Sequence, residues 1–129
     1  MAFTPYHSIT YENLGAGNEV VHNGVSANGV NHELIAPGEN SGDIQSIMIT
    51  NMHDTVNATV TLFLQDQPDT VASNTINIIK KIGIPPTVSL LLDEPKLLEF
   101  DNTNENGYGL YLTIGAVDGT NILDIIISL

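Results

Sequence analysis

The chain contains no cysteine, no arginine and no tryptophan among its 129 residues. The absence of cysteine excludes disulfides, thiol catalysis and cysteine-ligated zinc. The absence of arginine removes the side chain that holds carboxylates and phosphates through two parallel hydrogen bonds. The absence of tryptophan removes the largest aromatic face on which a sugar could stack. Several common kinds of binding and catalytic site are therefore excluded at the outset.

Positive charge is scarce as well. The chain has three lysines (Lys80, Lys81 and Lys96) and fifteen acidic residues, for a formal net charge of -12. Because such a surface repels phosphate backbones and anionic lipids, we expect no nucleic-acid or membrane partner. No apolar run approaches the roughly 18 residues that span a membrane, and the first residues lack the basic and apolar regions of a signal peptide. The acidity indicates solubility or, alternatively, a basic partner or cations.

The apolar residues occur in short runs that are broken by glycine, proline, aspartate or asparagine. Runs that are rich in β-branched residues and bounded by turn residues are typical of an all-β sandwich or barrel. We therefore predict one domain over residues 1–129, an all-β antiparallel sandwich of the jelly-roll kind, with eight or nine strands and no substantial helix. The predicted strands cover residues 6–11, 32–36, 43–50, 56–65, 74–82, 88–92, 96–100, 109–114 and 122–129.

Three segments carry more specific expectations. Residues 1–12 form either a first strand over 6–11 or an extended N-terminal arm. Residues 13–32 are rich in glycine and asparagine, and their two Asn-Gly pairs favour turns, so we predict a poorly ordered loop or short hairpin. The last strand, 122–129, is apolar on both faces. It must lie inside a sheet or pair with another subunit, because an exposed edge of this kind would aggregate.

No arrangement of residues typical of catalysis is present. The histidines (His7, His22, His32 and His53) have no metal-binding spacing and are interpreted as isolated surface residues. The sequence contains no nucleophile elbow, no phosphate-binding loop and no serine beside a base. The chain is therefore predicted not to be an enzyme, with no catalytic, cofactor-binding or metal-binding residues.

Clustered polar residues offer two weak candidates for a site. Loop 101–107 carries the pattern Asn102-x-Asn104-x-Asn106, but it lacks the first aspartate and the final glutamate of a calcium loop. It is interpreted as a solvated hairpin tip, with an incidental calcium site as the alternative. The acidic residues at turns and strand ends are Asp93, Glu94, Glu99 and Asp101, and they are interpreted as a solvated rim. A pair of catalytic carboxylates needs one member in an apolar environment, which separates the two pKa values.

Two further features of the sequence concern carbohydrate. Tyr108 and Tyr111 are the candidates for a small sugar-stacking platform, which keeps a carbohydrate-binding module open as an alternative. The sequence Asn57-Ala58-Thr59 is a formal glycosylation site. It is discounted because it falls in a predicted strand of a chain without an export signal.

Two apolar segments together resemble a family. The first reads I-A-P-G-E-N-S-G-D-I-Q-S-I-M-I-T-N and continues into N-A-T-V-T-L-F-L-Q-D. The second reads I-I-K-K-I-G-I-P-P-T-V-S-L-L-L-D-E-P-K-L-L-E-F-D-N and continues into G-L-Y-L-T-I-G and D-I-I-I-S. This layout, over 35–129, resembles small β-sandwich virion proteins of tailed bacteriophages, including phages of marine cyanobacteria. Segment 13–32 has no counterpart in that layout.

The resemblance implies a structural role in the virion. The expected function is that of a capsid decoration (cement) protein that binds and stabilises the outer shell, with a tail, neck or fibre-attachment component as the alternative. The expected partner is the major capsid protein or another virion protein. We expect a homo-oligomer, with a trimer favoured, in a virion that is assembled in the host cytoplasm.

Overall fold

The protein is an all-β sandwich of two antiparallel sheets, as predicted. The computed structural model describes residues 9–12, 19–25, 31–39, 43–66, 74–115 and 123–129. Within these residues one short 3-10 turn, Pro95–Leu97, accompanies nine strands. The strands are β1 (Ile9–Glu12), β2 (Glu19–Val25), β3 (His32–Ile35), β4 (Ser46–Asn51), β5 (Ala58–Asp66), β6 (Thr75–Ile84), β7 (Ser89–Leu92), β8 (Tyr108–Gly115) and β9 (Leu123–Ser128).

The strands alternate between the two sheets. One sheet has five strands in the order β1-β2-β9-β4-β7, and the other has four in the order β3-β8-β5-β6. From β2 onward, every connection crosses to the opposite sheet except the one between β5 and β6. The edge strands β6 and β7 are joined by the short segment 85–88, so both sheets end on the same side of the sandwich.

The core comes from alternating apolar residues of both sheets. In β5, Ala58, Val60, Leu62 and Leu64 are buried, as the alternation in the sequence predicted. Except for the buried Asn51 at the end of β4, the inner positions of β4 and β9 are isoleucines and a leucine, and they are fully buried. These residues belong to one hydrophobic cluster that fills the space between the sheets.

Strand β9 lies inside the five-stranded sheet, which confirms one of the two alternatives for the last strand. It is hydrogen-bonded to β2 on one side and to β4 on the other. Its inner face is fully buried, whereas Ile126 on the outer face is only partly buried. Pairing on both sides removes the exposed edge that such an apolar strand would otherwise present.

The prediction for segment 13–32 is wrong where the structure describes it. Residues 19–25 form β2, which pairs with β9 along its length. The Asn23-Gly24 pair lies where the register between His22 and Val25 shifts, so it makes a bulge in a strand instead of a hairpin turn. Of the predicted arm 1–12, residues 9–12 form β1 at the edge of the sheet, and the other residues lie outside the described ranges.

One prediction for the second half of the chain is also wrong. Residues 96–100 do not form a strand. Pro95 begins a 3-10 turn that is closed by hydrogen bonds from Leu97 N to Glu94 O and from Leu98 N to Pro95 O. In β6, Ile78 and Ile79 are both partly buried against the core, and Ile79 pairs with the buried Leu62. Register shifts on both sides of Leu62 displace the alternation by one residue.

Candidate functional site

The histidines are not the isolated surface residues that the sequence indicated. His22 and His32 are fully buried, and His53 is partly exposed. His7 lies outside the described residues. Strand β2 turns His22 toward the core, where its Nε2 atom lies 2.9 Å from the carbonyl oxygen of Leu34 in β3. Since the register between Glu33 and Ile35 shifts at this point, the imidazole bonds a carbonyl at an irregular step of the ladder.

Loop 101–107 uses its polar groups internally. The carboxylate of Asp101 accepts hydrogen bonds from the backbone amide of Thr103 at 2.9 Å and from its hydroxyl at 2.6 Å. The side-chain oxygen of Asn104 accepts one from the amide of Asn106 at 2.9 Å. These two successive Asx turns close the loop on itself. Among the described residues, no group of three or more His, Cys, Asp or Glu is placed to hold a metal ion.

The Asx turn gives a testable pKa shift. Hydrogen bonds from the Thr103 hydroxyl and backbone amide hold the pKa of Asp101 below its ordinary value of 3.8. Because the folded-state pKa is lowered, the stabilisation is complete above pH 3.8 and is lost as the pH falls through the folded-state pKa. We expect Thr103→Val to raise the pKa of Asp101, measured by an NMR titration of its carboxyl carbon. Thr55→Val, at another exposed threonine, is the control. An unchanged pKa in Thr103→Val would contradict the assignment.

The acidic rim predicted from the sequence is confirmed. Asp93, Glu94, Glu99 and Asp101 are all exposed. Two of them border an open cleft of about 590 Å³ that is lined by Asp43, Lys96, Glu99, Phe100, Asp101, Asn102 and Thr103. None of these carboxylates has the apolar environment that separates a general acid from a general base.

The predicted tyrosine platform does not exist. Tyr111 is fully buried, and its ring stacks on Phe63 with 5.8 Å between ring centroids. Its hydroxyl donates toward a carboxylate oxygen of Glu33 at 3.4 Å. A sugar cannot stack on a ring that is already covered. Tyr108 is partly buried against the core, so the pair offers no exposed aromatic face.

The exposed apolar side chains gather at the edge of the sandwich formed by β6 and β7. We call residues 75–100 the β6–β7 edge. Six large apolar side chains are exposed in the described part of the chain. Five of them lie in the β6–β7 edge, and the sixth, Met52, follows the end of β4. They are Ile76, Ile82, Val88, Leu91 and Leu97, together with Met52. An edge that carries most of the exposed large apolar groups is a candidate interaction surface.

The same edge carries every cation of the chain. Lys80, Lys81 and Lys96 lie within it and are balanced by only three acids, Asp93, Glu94 and Glu99, so its formal charge is zero. All of the net charge of -12 therefore belongs to the remaining residues, which contain no cation. By residue count the β6–β7 edge is neutral and the rest of the chain is acidic, although Asp43 and Asp101 share a cleft with Lys96 and Glu99 of the edge.

A buried asparagine, Asn51, holds the corner of this edge, which is segment 85–88 between β6 and β7, through hydrogen bonds. The Asn51 side-chain amide donates to the carbonyl oxygens of Val56 at 2.8 Å and Ile84 at 2.9 Å, and its oxygen accepts from the amide of His53 at 3.0 Å. Its backbone bonds to both Thr87 and Val88 at 3.0 Å. One residue thus ties the end of β4 to the segments that begin β5, end β6 and begin β7.

Both edge strands carry features that oppose further strand addition. Lys81 has a positive φ of 55°, and its backbone amide donates to the Thr61 hydroxyl at 3.0 Å. The ladder is irregular on either side of Leu62. Bulges and lysines on an edge strand hinder pairing with another strand. Strand β7 is short, and prolines lie on both sides of it (Pro85, Pro86 and Pro95). The edge is therefore suited to contacts through side chains.

Sequence reasoning missed this surface. The exposure of Ile76 and Leu91 depends on β6 and β7 being edge strands, which is a property of the sheet order. The available signal was the restriction of all three lysines to residues 80–96 of a strongly acidic chain.

The comparisons with known proteins add no relative. No protein-family model matches the chain, and no curated protein or solved structure matches it. No helix in the described residues is long and apolar enough to cross a membrane.

Proposed function

We propose that this protein is a structural component of a virion, most specifically a capsid decoration protein that stabilises the outer shell of a tailed phage. The observation that carries the proposal is the neutral, apolar β6–β7 edge on a sandwich that is acidic elsewhere. Such a surface is suited to lasting association through apolar contacts. The role requires binding and stability and needs no catalytic step.

The strand order supports the proposal. The orders β2-β9-β4-β7 and β3-β8-β5-β6 are those of two interlocked Greek keys, with β1 added at one edge. This order supports a jelly-roll form of the sandwich, and jelly rolls build viral capsid proteins as well as lectin domains. Because a fold alone does not determine function, the order supports a capsid role only together with the binding edge and the resemblance of segment 35–129 to phage virion proteins.

The charge distribution also suits a shell protein. Twelve acids without a compensating cation lie outside the β6–β7 edge, and a large net charge of one sign keeps particles apart in solution. A decoration protein binds in many copies, so weak individual contacts add up to strong overall retention. The partner in this proposal is the major capsid protein or another protein of the shell.

The copy number of the chain in purified particles tests the proposal. Quantitative mass spectrometry against the major capsid protein is expected to find hundreds of copies per particle. A handful of copies would instead place the chain at the neck or tail, which is the alternative virion role. Absence from the particle would overturn the virion assignment. The tyrosine platform does not support a carbohydrate-binding function, because Tyr111 is buried and stacked on Phe63.

A further inference from the structure

We infer that the β6–β7 edge is the surface on which two copies of this chain pair about a twofold axis. The inference deepens the proposed function and rests on it, because a shell protein is present in many neighbouring copies. It names the partner at this edge as a second copy of the chain, with the same edge of both copies in contact. The argument depends on where the charge and the exposed apolar groups lie.

Charge restricts where two copies can meet. Each copy has a net charge of -12, and everything outside residues 75–100 is acidic without a cation. Contact through any such surface brings like charges together, which is unfavourable. The β6–β7 edge has three lysines and three carboxylates, with Asp43 and Asp101 beside them, so two copies can approach through it at a lower cost than through the rest of the chain.

The exposed apolar side chains favour the same edge on both copies. A head-to-tail contact would place Leu91 and Leu97, which are 55% and 62% exposed, against a surface of the neighbour with no exposed large apolar group among the described residues outside this edge and the adjoining Met52. A twofold arrangement places the apolar groups of one copy against those of the other, because the same patch serves both subunits. The distribution of exposed apolar side chains thus favours a twofold pair over a head-to-tail trimer.

An apolar row on the outer face of the five-stranded sheet ends at this edge. Val21, Ile126 and Met48 are cross-strand neighbours on β2, β9 and β4, and Met48 pairs with Leu91 on β7. The first three are partly buried by one another's strands, whereas Leu91 at the end of the row has no strand beyond it in the described residues. A second copy beside β7 would cover Leu91 as Ile126 covers Met48.

The features that hinder strand addition limit the association to two copies. The irregular ladder of β6, its lysines and the shortness of β7 oppose extension of the sheets. Pairing through side chains about a twofold axis brings the same patch of both copies together, so it ends at two.

Analytical ultracentrifugation of the full chain tests the inference. We expect a dimer, with a dissociation constant raised at least about tenfold by Leu91→Glu and by Leu97→Glu, because each places a charge in the apolar contact. Asn106→Glu adds the same charge at an exposed position of loop 101–107 and is the matched control, expected to leave the constant unchanged apart from a small general repulsion.

Salt dependence separates the two geometries. A dimer through the neutral edge is expected to tighten or stay constant as salt rises, because salt screens the repulsion between two acidic bodies. A head-to-tail contact of lysines with an acidic face would weaken. A monomer at all concentrations, a trimer, or a dimer that neither edge variant weakens would overturn the inference. The copy number per particle is measured separately, so a monomer found in hundreds of copies would leave the virion role intact and remove only the pairing.

Discussion

Asn51→Asp is expected to lower the free energy of unfolding by roughly 3–5 kcal/mol, because it removes two buried donors and introduces a buried charge. The amide of Asn51 donates to the carbonyl oxygens of Val56 and Ile84. An ionised carboxylate would face both of these oxygens with no hydrogen to share. Urea denaturation followed by circular dichroism measures the change.

A matched exchange separates this effect from the mere addition of charge. Asn57→Asp makes the same chemical change six residues further along, at an exposed position, and is expected to shift stability by less than about 0.5 kcal/mol. Asn51→Ser, which keeps one donor on a shorter side chain, is expected to fall between the wild type and Asn51→Asp. Equal unfolding midpoints for Asn51→Asp and Asn57→Asp would show that the corner does not depend on these bonds.

The role of Asn51 links stability to the candidate site. Its side chain and backbone hold segment 85–88, which connects the edge strands β6 and β7. A loosened corner would let these two strands move relative to each other, and the apolar side chains of the edge would no longer form one surface. We therefore expect Asn51→Ser to weaken the pairing of two copies under conditions in which the variant is still folded. Analytical ultracentrifugation measures this after the stability of the variant is known.

The parts of the fold that follow from local patterns were predictable. The alternation over β5 and the apolar character of β9 depend on whether neighbouring residues face the core, and both predictions are confirmed. Strand β2 was missed because an Asn-Gly pair such as Asn23-Gly24 favours a turn when the sequence alone is considered. Pairing with β9 absorbs this pair as a bulge, so tertiary contacts override the local preference.

The site was harder to predict because it depends on which strands lie next to each other. Ile76 pairs with the buried Leu64 and has the sequence context of a core residue, yet it is half exposed because β6 is an edge strand with a ragged ladder. His22 was interpreted as a surface residue because β2 itself was not recognised. Tyr111 was kept as a candidate for a sugar-stacking platform for a similar reason, since its stacking partner Phe63 lies in another strand.

Gly109→Ala is expected to lower the free energy of unfolding by about 2–3 kcal/mol, because a methyl group at this position would overlap its surroundings. An added Cβ would lie 2.7 Å from the carbonyl oxygen of Ile35, 2.7 Å from Cδ of Pro37 and 3.0 Å from the hydroxyl oxygen of Tyr111. The first two are held by backbone and ring geometry and cannot rotate away, so β3 and β8 would have to separate. Chemical denaturation measures the loss.

Gly115 and Gly83 provide controls in the same sheet. A Cβ at either position meets nothing within 4 Å, and both residues pair with Thr59 on β5. Alanine should be neutral or slightly stabilising there, because glycine loses more chain entropy on folding than alanine does. If all three alanine variants unfolded at the same midpoint, the close approach of β3 to Gly109 would not limit stability. A loss confined to Gly109→Ala would show that β3 and β8 are packed as closely as they can be, on the side of the sandwich opposite the β6–β7 edge.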